Sequence, residues 1–267
     1  LAGGSDGYSG VIQADTGGGV GKIVIKGSII GGSGDHSGEI RTTALGSLVI
    51  GKSVTGGAGE FSGNVFSDTG INLLRIGGNL EGGSGDRSGA ISTGEGGSLD
   101  KIVIAGSIIG DTGLQSGAIT AAHIGSASIS KNIIGGDAEF SGTFQSFAGI
   151  DSLRIGGDVE GGTGDRSGWI YFPDDGSLNK LVIAGSIIGN SGLESGAVTG
   201  ANLVSAAIGG DLLGGTGVES GTINVNNLGK VSVAKNVTGG SGANSGSIFG
   251  AYGIVSVKIG KNLTSNG

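Results

Sequence analysis

The chain has 267 residues, 65 of them glycine, with a single proline, no cysteine, no methionine and a formal net charge of −7. Without cysteine there is no disulfide framework, thiolate metal site or thiol catalysis. Losing methionine as well removes the other readily oxidised side chain, which suits an extracellular or cell-surface setting. The acidic balance and the singly scattered Lys and Arg leave no basic patch to track a phosphate backbone, so no nucleic-acid partner is expected.

No apolar run reaches the roughly 20 residues that span a bilayer. The best candidate, KIVIAGSII from Lys101 to Ile109, is interrupted by Gly and Ser, so no membrane insertion is expected in this segment. Glycine-rich linkers stay disordered because they have too little apolar surface to offset ordering entropy. Here Ile, Leu and Val recur at regular intervals, and a folded chain is expected. It opens at LAGGSDGYSG and stops inside a repeat at KNLTSNG, which reads as a segment of a longer array with any signal or anchor outside it.

In chain order the first element of each unit is a glycine-rich corner. EGGSGDRSGAI at 81–91 returns as EGGTGDRSGWI at 160–170, with looser copies at 30–40 and 238–248. Its Ser-Gly marker falls at Ser9, Ser37, Ser62, Ser88, Ser116, Ser141, Ser167, Ser195, Ser220 and Ser245, at spacings of 28, 25, 26, 28, 25, 26, 28, 25 and 25. Three units make a higher-order repeat of 79 residues (28 + 25 + 26).

After the marker comes an apolar column that begins Ile12, Ile40, Val65 and ends Ile223, Ile248. A loop of variable length leads to a second column, Val20, Leu45, Ile71, Leu99 and their successors. Five residues on lies a β-branched column, including Ile25, Ile50, Ile76, Ile104 and Ile129. Between those two runs an aliphatic column with Ile23, Leu48, Leu74 and Ile102. Three residues after the β-branched column, Ser28, Ser53, Asn79, Ser107, Asn132 and Asp158 mark a second corner of turn residues. One residue further, Ile29, Val54, Leu80 and Ile108 open the last column.

The period within each run is two, as in Ile102-Val103-Ile104, which spells short strands. A unit of 25 to 28 residues cannot bury such a face alone, but stacked units put Ile on Ile and pair every backbone group with the coil above and below. The expectation is therefore an all-β parallel β-solenoid over residues 1–267, with about ten coils of three short strands each. Right-handed winding is expected, and the rod would be on the order of 45 Å long. The glycines of GGSG are expected at positions of positive φ or close approach, with the marker Ser bonding along the stack.

Three groups are candidate sites. Asp35, Glu60 and Asp86 fall in consecutive coils and would repel one another unless Arg87 or a cation, Ca2+ being the candidate, neutralises them. The GGxGxD nonapeptide calcium motif does not match in Asp position or in period. Phe61 precedes Arg87 by one coil and Phe140 precedes Arg166 likewise, so each guanidinium can lie over a ring. His36 and His123 stand in different columns, with no partner at metal-ligand spacing. The seventh unit alone reads SGWIYFPDDGSL, where Trp169, Tyr171 and Phe172 offer rings to a sugar or a protein partner.

The near-identical glycine-rich units resemble tandem-repeat parallel β-solenoid, or β-helix, proteins of bacterial surfaces, adhesins and fibres. That resemblance implies a non-enzymatic structural role, with the rod associating end to end with itself or with further repeats. A weaker resemblance, to β-helix polysaccharide lyases and hydrolases, implies paired carboxylates 5 to 9 Å apart, about the separation glycoside hydrolysis uses. Such a site should depart from the repeat, whereas these acids recur with it, and no catalytic residue is assigned. A carbohydrate-binding rod lies between the two readings.

Overall fold

The computed structural model describes residues 1–14 and 18–265, with the side chains of 174 and 175 excepted. Among the described residues there are 24 strands and no helix. They wind into ten coils. In the first four, each coil has three strands, as in Ile40–Thr42, Leu45–Ile50 and Val54–Thr55. From the fifth coil on, the first two run together into one bent strand such as Ile119–Ile129 or Ile170–Ile183, followed by a two- or three-residue strand.

All pairings between coils are parallel and bring like residues together. Ile50 pairs with Ile76, Ile76 with Ile104, and Ile104 with Ile129. The result is a sheet of 14 strands and a second of 10, enclosing one apolar interior. Ile50, Leu74, Ile76, Leu99, Ile104 and Ile129 are each 0% exposed. Burying an Ile fully is worth roughly 1.5–3 kcal/mol, so the interior columns dominate the fold's stability.

The variation in unit length has one location. Between the first two inward columns the chain advances 8, 5 and 6 residues in successive coils (Ile12 to Val20, Ile40 to Leu45, Val65 to Ile71). The remainder of each unit is a constant 20, from 28 − 8, 25 − 5 and 26 − 6. That bend also holds the register shifts, for example between Ala121 and His123 and between Phe172 and Ser177. Insertions are absorbed there, and the corners stay superimposed.

The corner at the marker is built by two left-handed residues around a buried serine. The Gly after each Ser has φ of 61–69°, and a Cβ on Gly38 would strike the carbonyl oxygen of Ile30. The residue before the Ser is also left-handed, at φ of 51–58°, yet it is never Gly: Tyr8, His36, Phe61, Arg87, Gln115, Phe140, Arg166, Glu194, Glu219 and Asn244.

The serine's bond differs from the expected one along the stack. Its Oγ accepts from the backbone N–H five residues earlier in its own coil, at 2.7–3.1 Å in all ten coils. The left-handed turn folds that amide back over the hydroxyl, so the nearest donor is local. The GGSG glycines also differ in part from expectation. They serve close approach instead of positive φ; a Cβ on Gly31 would lie 2.7 Å from the amide nitrogen of Gly57 in the next coil.

At the second corner the side chain does cross between coils. The oxygen of Ser53 accepts from Asn79 N–H, Asn79 from Ser107, Ser107 from Asn132 and Asn132 from Asp158; the ladder continues to Asn262 with distances of 2.6–3.3 Å. Asp211 shows the electrostatic consequence. Its carboxylate is held below the ordinary range by the backbone N–H of Asn236, and further by the Asn236 side chain and by Lys235 and Lys261.

Candidate functional site

Three columns beside the marker corner form a lateral trench parallel to the rod axis. One wall is the left-handed column. The other is the first outward position of the first strand, where Arg41 pairs with Phe66, Phe66 with Ser92, Gln145 with Tyr171, and Tyr171 with Thr199. The floor is the residue just before each first strand: Glu39, Asn64, Ala90, Ala118, Thr143, Trp169, Ala197 and Thr222 in successive coils. Their carbonyls accept from the first strand residue of the preceding coil, as in Ile40 N–H to Asn64 O and Phe144 N–H to Trp169 O. All eight floor residues are buried.

Side chains of the left-handed wall stack on one another. The rings of Tyr8 and His36 lie 4.8 Å apart and those of His36 and Phe61 lie 4.9 Å apart, nearly parallel in both cases. The Arg87 guanidinium then covers Phe61 at 5.3 Å, and its Nε donates to Gln115 Oε1 at 2.9 Å. Arg166 covers Phe140 at 5.6 Å. Both arginine–ring contacts expected from the sequence are therefore present. The stack through Tyr8 and His36 was not anticipated, although both residues stand directly before a marker Ser; His36 is no isolated surface histidine, and its Nδ1 also meets Glu39 Oε2 at 2.9 Å.

The charges of this wall largely cancel. Arg87 lies 3.8 Å from Glu60, while Arg166 meets Glu194 at 2.7 Å and Glu139 at 3.4 Å. Burial opposes the charge of Arg166, yet the hydrogen bond to Glu194 and the charges of Glu194, Glu139 and Asp165 hold its pKa above the usual guanidinium value.

Trp169 is the one large residue on the floor and spans the trench. Its ring stacks on Tyr171 at 4.4 Å, lies 5.9 Å from Phe140 and sits under Arg166 at 5.9 Å. This corrects the expectation of three exposed rings: Trp169 is only 7% exposed and Phe172 is 0% exposed. Phe172 is two residues beyond the inward Ile170, so strand alternation turns it into the core. Room for its ring comes from the next coil, where any Cβ on Gly200 would collide with it. Of the three aromatics, Tyr171 alone is partly exposed, and Phe147, not singled out from the sequence, is 53% exposed beside it.

Asp35, Glu60 and Asp86 do share one column, but each has its own engagement. Asp35 Oδ1 accepts from Glu60 N–H at 2.9 Å, Asp86 Oδ1 accepts from Leu114 N–H at 3.0 Å, and Glu60 faces Arg87. Asp165 repeats the pattern with Leu193 N–H at 2.8 Å. Among the described residues, no three His, Asp or Glu side chains converge as a metal-ion site. His123 lies 3.5 Å from Asp151 in an exposed pair.

No protein-family model, curated protein or solved structure matches the chain. Its class is defined by the fold: a parallel β-solenoid of ten coils.

Proposed function

We propose that this chain is a non-enzymatic structural solenoid: a stiff rod segment of an extracellular fibre, spacer or adhesin that associates end to end. The observation that carries the reading is repetition. The interior columns run unbroken through the coils, the acids recur with the triplet, and they serve the stack itself: the aspartates cap backbone amides of the next coil and the glutamates pair with Arg87 and Arg166.

The first and last coils described end their sheets with strand edges that this segment does not itself pair, a template for a further parallel coil from a second copy or from neighbouring repeats. On the last coil the inward Ile254, Val257 and Leu263 are 47%, 39% and 70% exposed, where their partners one coil earlier, Leu228, Val231 and Val237, are buried. The two faces of a parallel stack differ and complement each other, so a second copy adds head to tail and the contact does not close.

Light scattering and electron microscopy over a concentration series test this. Rods should lengthen in steps on the order of 45 Å, and a species of constant length at high concentration defeats the self-association. Cleavage of pectin, alginate or another acidic polysaccharide that vanishes in Glu60→Ala or Asp86→Ala would replace the structural reading by the lyase or hydrolase one.

A further inference from the structure

The trench has features that a plain spacer does not need. Two hollows of about 320 and 600 Å³ adjoin at Gln115, the smaller reaching back to Glu39 and the larger forward to Asn226. They lie along the rod axis beside the marker corner, and the larger extends onto the bend of variable length at Phe147, Gly200 and Asn226.

The wall itself is the first clue. A non-Gly residue in the left-handed region is strained by about 1–3 kcal/mol, and this chain uses glycine freely elsewhere. Nonetheless ten successive coils place a side-chain-bearing residue there. What is retained is a row of rings and hydrogen-bonding groups along one edge of the trench.

The second clue is polar. Within the described structure five buried side-chain atoms have no hydrogen-bond partner, and four of them belong to trench residues: Glu39 Oε1, Asn64 Oδ1, Trp169 Nε1 and Thr199 Oγ1. An unpaired buried polar group is costly, about 1–3 kcal/mol. Acceptors at one end and donors at the other call for a ligand that both donates and accepts along its length. Each of the four atoms is shielded from solvent, so reaching it requires neighbouring wall side chains to swing aside.

Charge and backbone narrow the ligand further. Arg87 and Arg166 are matched by Glu60, Glu139 and Glu194, which leaves no concentrated charge at the trench centre for a polyanion. The strands beneath are paired on both sides by the coil ladder, so an extended peptide finds no free edge to join. Aromatic faces at Phe147 and Tyr171 beside the amide of Asn224 suit a polyhydroxylated ring, with its apolar face stacked and its hydroxyls bonded. A pyranose unit is also close in length to the rise of one coil, about 4.8 Å.

We infer that the trench binds a linear, uncharged polysaccharide laid along the rod axis, with Phe147, Trp169, Tyr171 and Thr199 as its central subsite. The inference stands apart from the structural role, since filaments can form without glycan and glycan can bind a single rod.

The test is calorimetric titration of the intact chain with cello-, xylo-, manno- and chito-oligosaccharides of increasing length, polygalacturonate serving as the charged control. One neutral series should bind, with affinity rising with length until the trench is filled and little dependence on salt. The exposed-site variant Phe147→Ala and the near-isosteric Thr199→Val should each weaken it about three- to tenfold, with a melting temperature close to that of the parent for the first and equal or higher for the second, which removes an unpaired buried hydroxyl. Trp169→Phe, which keeps a ring but deletes the indole N–H, should weaken it as well. The inference is overturned if no neutral series binds at millimolar concentration, if binding is indifferent to all three variants, or if only polygalacturonate binds, in a salt-sensitive manner.

Discussion

The two corners of each coil use the same kind of residue in opposite directions. At the marker corner a serine hydroxyl bonds backward, to an amide of its own coil, and is 0% exposed from Ser37 through Ser220. At the second corner Ser, Asn or Asp bonds outward, to the amide of the next coil. The first interaction shapes a coil and the second ties coils together. This accounts for their different tolerance. Only a hydroxyl fits the enclosed site, so Ser recurs ten times, whereas any short side chain with an acceptor oxygen can bridge two coils at a partly exposed site.

The interior that both corners enclose sets the upper limit of any perturbation. Ile104→Asp should unfold several coils, because a carboxylate on a stacked Ile column is buried without a partner at a cost of several kcal/mol. Val103→Asp, at the half-buried outward position beside it, should be mild. Equal losses of thermal stability in the two variants would show that the inward and outward faces are misassigned.

Next in size is the marker corner. Ser88→Ala leaves the buried N–H of Gly83 without its acceptor at 3.0 Å, a loss of about 1–3 kcal/mol. Hydrogen exchange should locate the effect within that one coil. Faster exchange spread equally over the neighbouring coils would contradict the division between the corners.

Asn132→Ala should be milder, about 0.5–1.5 kcal/mol, because it removes the acceptor for Asp158 N–H at a partly exposed site. Its signature is loosened contact between coils. Asn132→Asp should restore most of the loss, since Asp158 and Asp211 already serve in that column. If aspartate were no better than alanine, acceptance of the amide hydrogen would not be the function of this column.

A smaller effect follows from acid. The depressed pKa of Asp211 means that its contribution is fully present above the ordinary carboxylate value, about 3.9, and fades as pH falls through the lower folded-state value. Melting measured from neutral to strongly acid pH should therefore fall less steeply at the acid end in Asp211→Asn than in the parent. Parallel curves would remove Asp211 from the acid response. Smallest of all should be the response to calcium: Asp35, Glu60 and Asp86 have separate partners, so micromolar calcium is expected to leave the melting temperature unchanged. A rise would establish a site, because a ligand that binds only the folded form must raise it.

What could be read from the sequence was what depends on local periodicity. Alternation at Ile102-Val103-Ile104 assigns inside and outside because successive strand side chains face opposite ways. A constant spacing from corner to corner forces like residues into register once coils stack. The Phe61–Arg87 and Phe140–Arg166 contacts were legible for the same reason. Phe172 was misjudged although its period was legible: two residues past Ile170 is inward, and Gly200 is the complementary clue one coil later.

The direction of the Ser hydroxyl and the existence of the trench were decided only in three dimensions. Whether Ser88 bonds to its own coil or the next depends on the left-handed turn at Arg87 and Gly89, and non-glycine residues such as Arg87 give little local sign of adopting it. That turn also swings Tyr8, His36, Phe61 and Arg87 into one stacked wall. The backbone pattern is inscribed in each unit of the chain, but which side chains share a wall is a property of the coils together, set by backbone conformation and register.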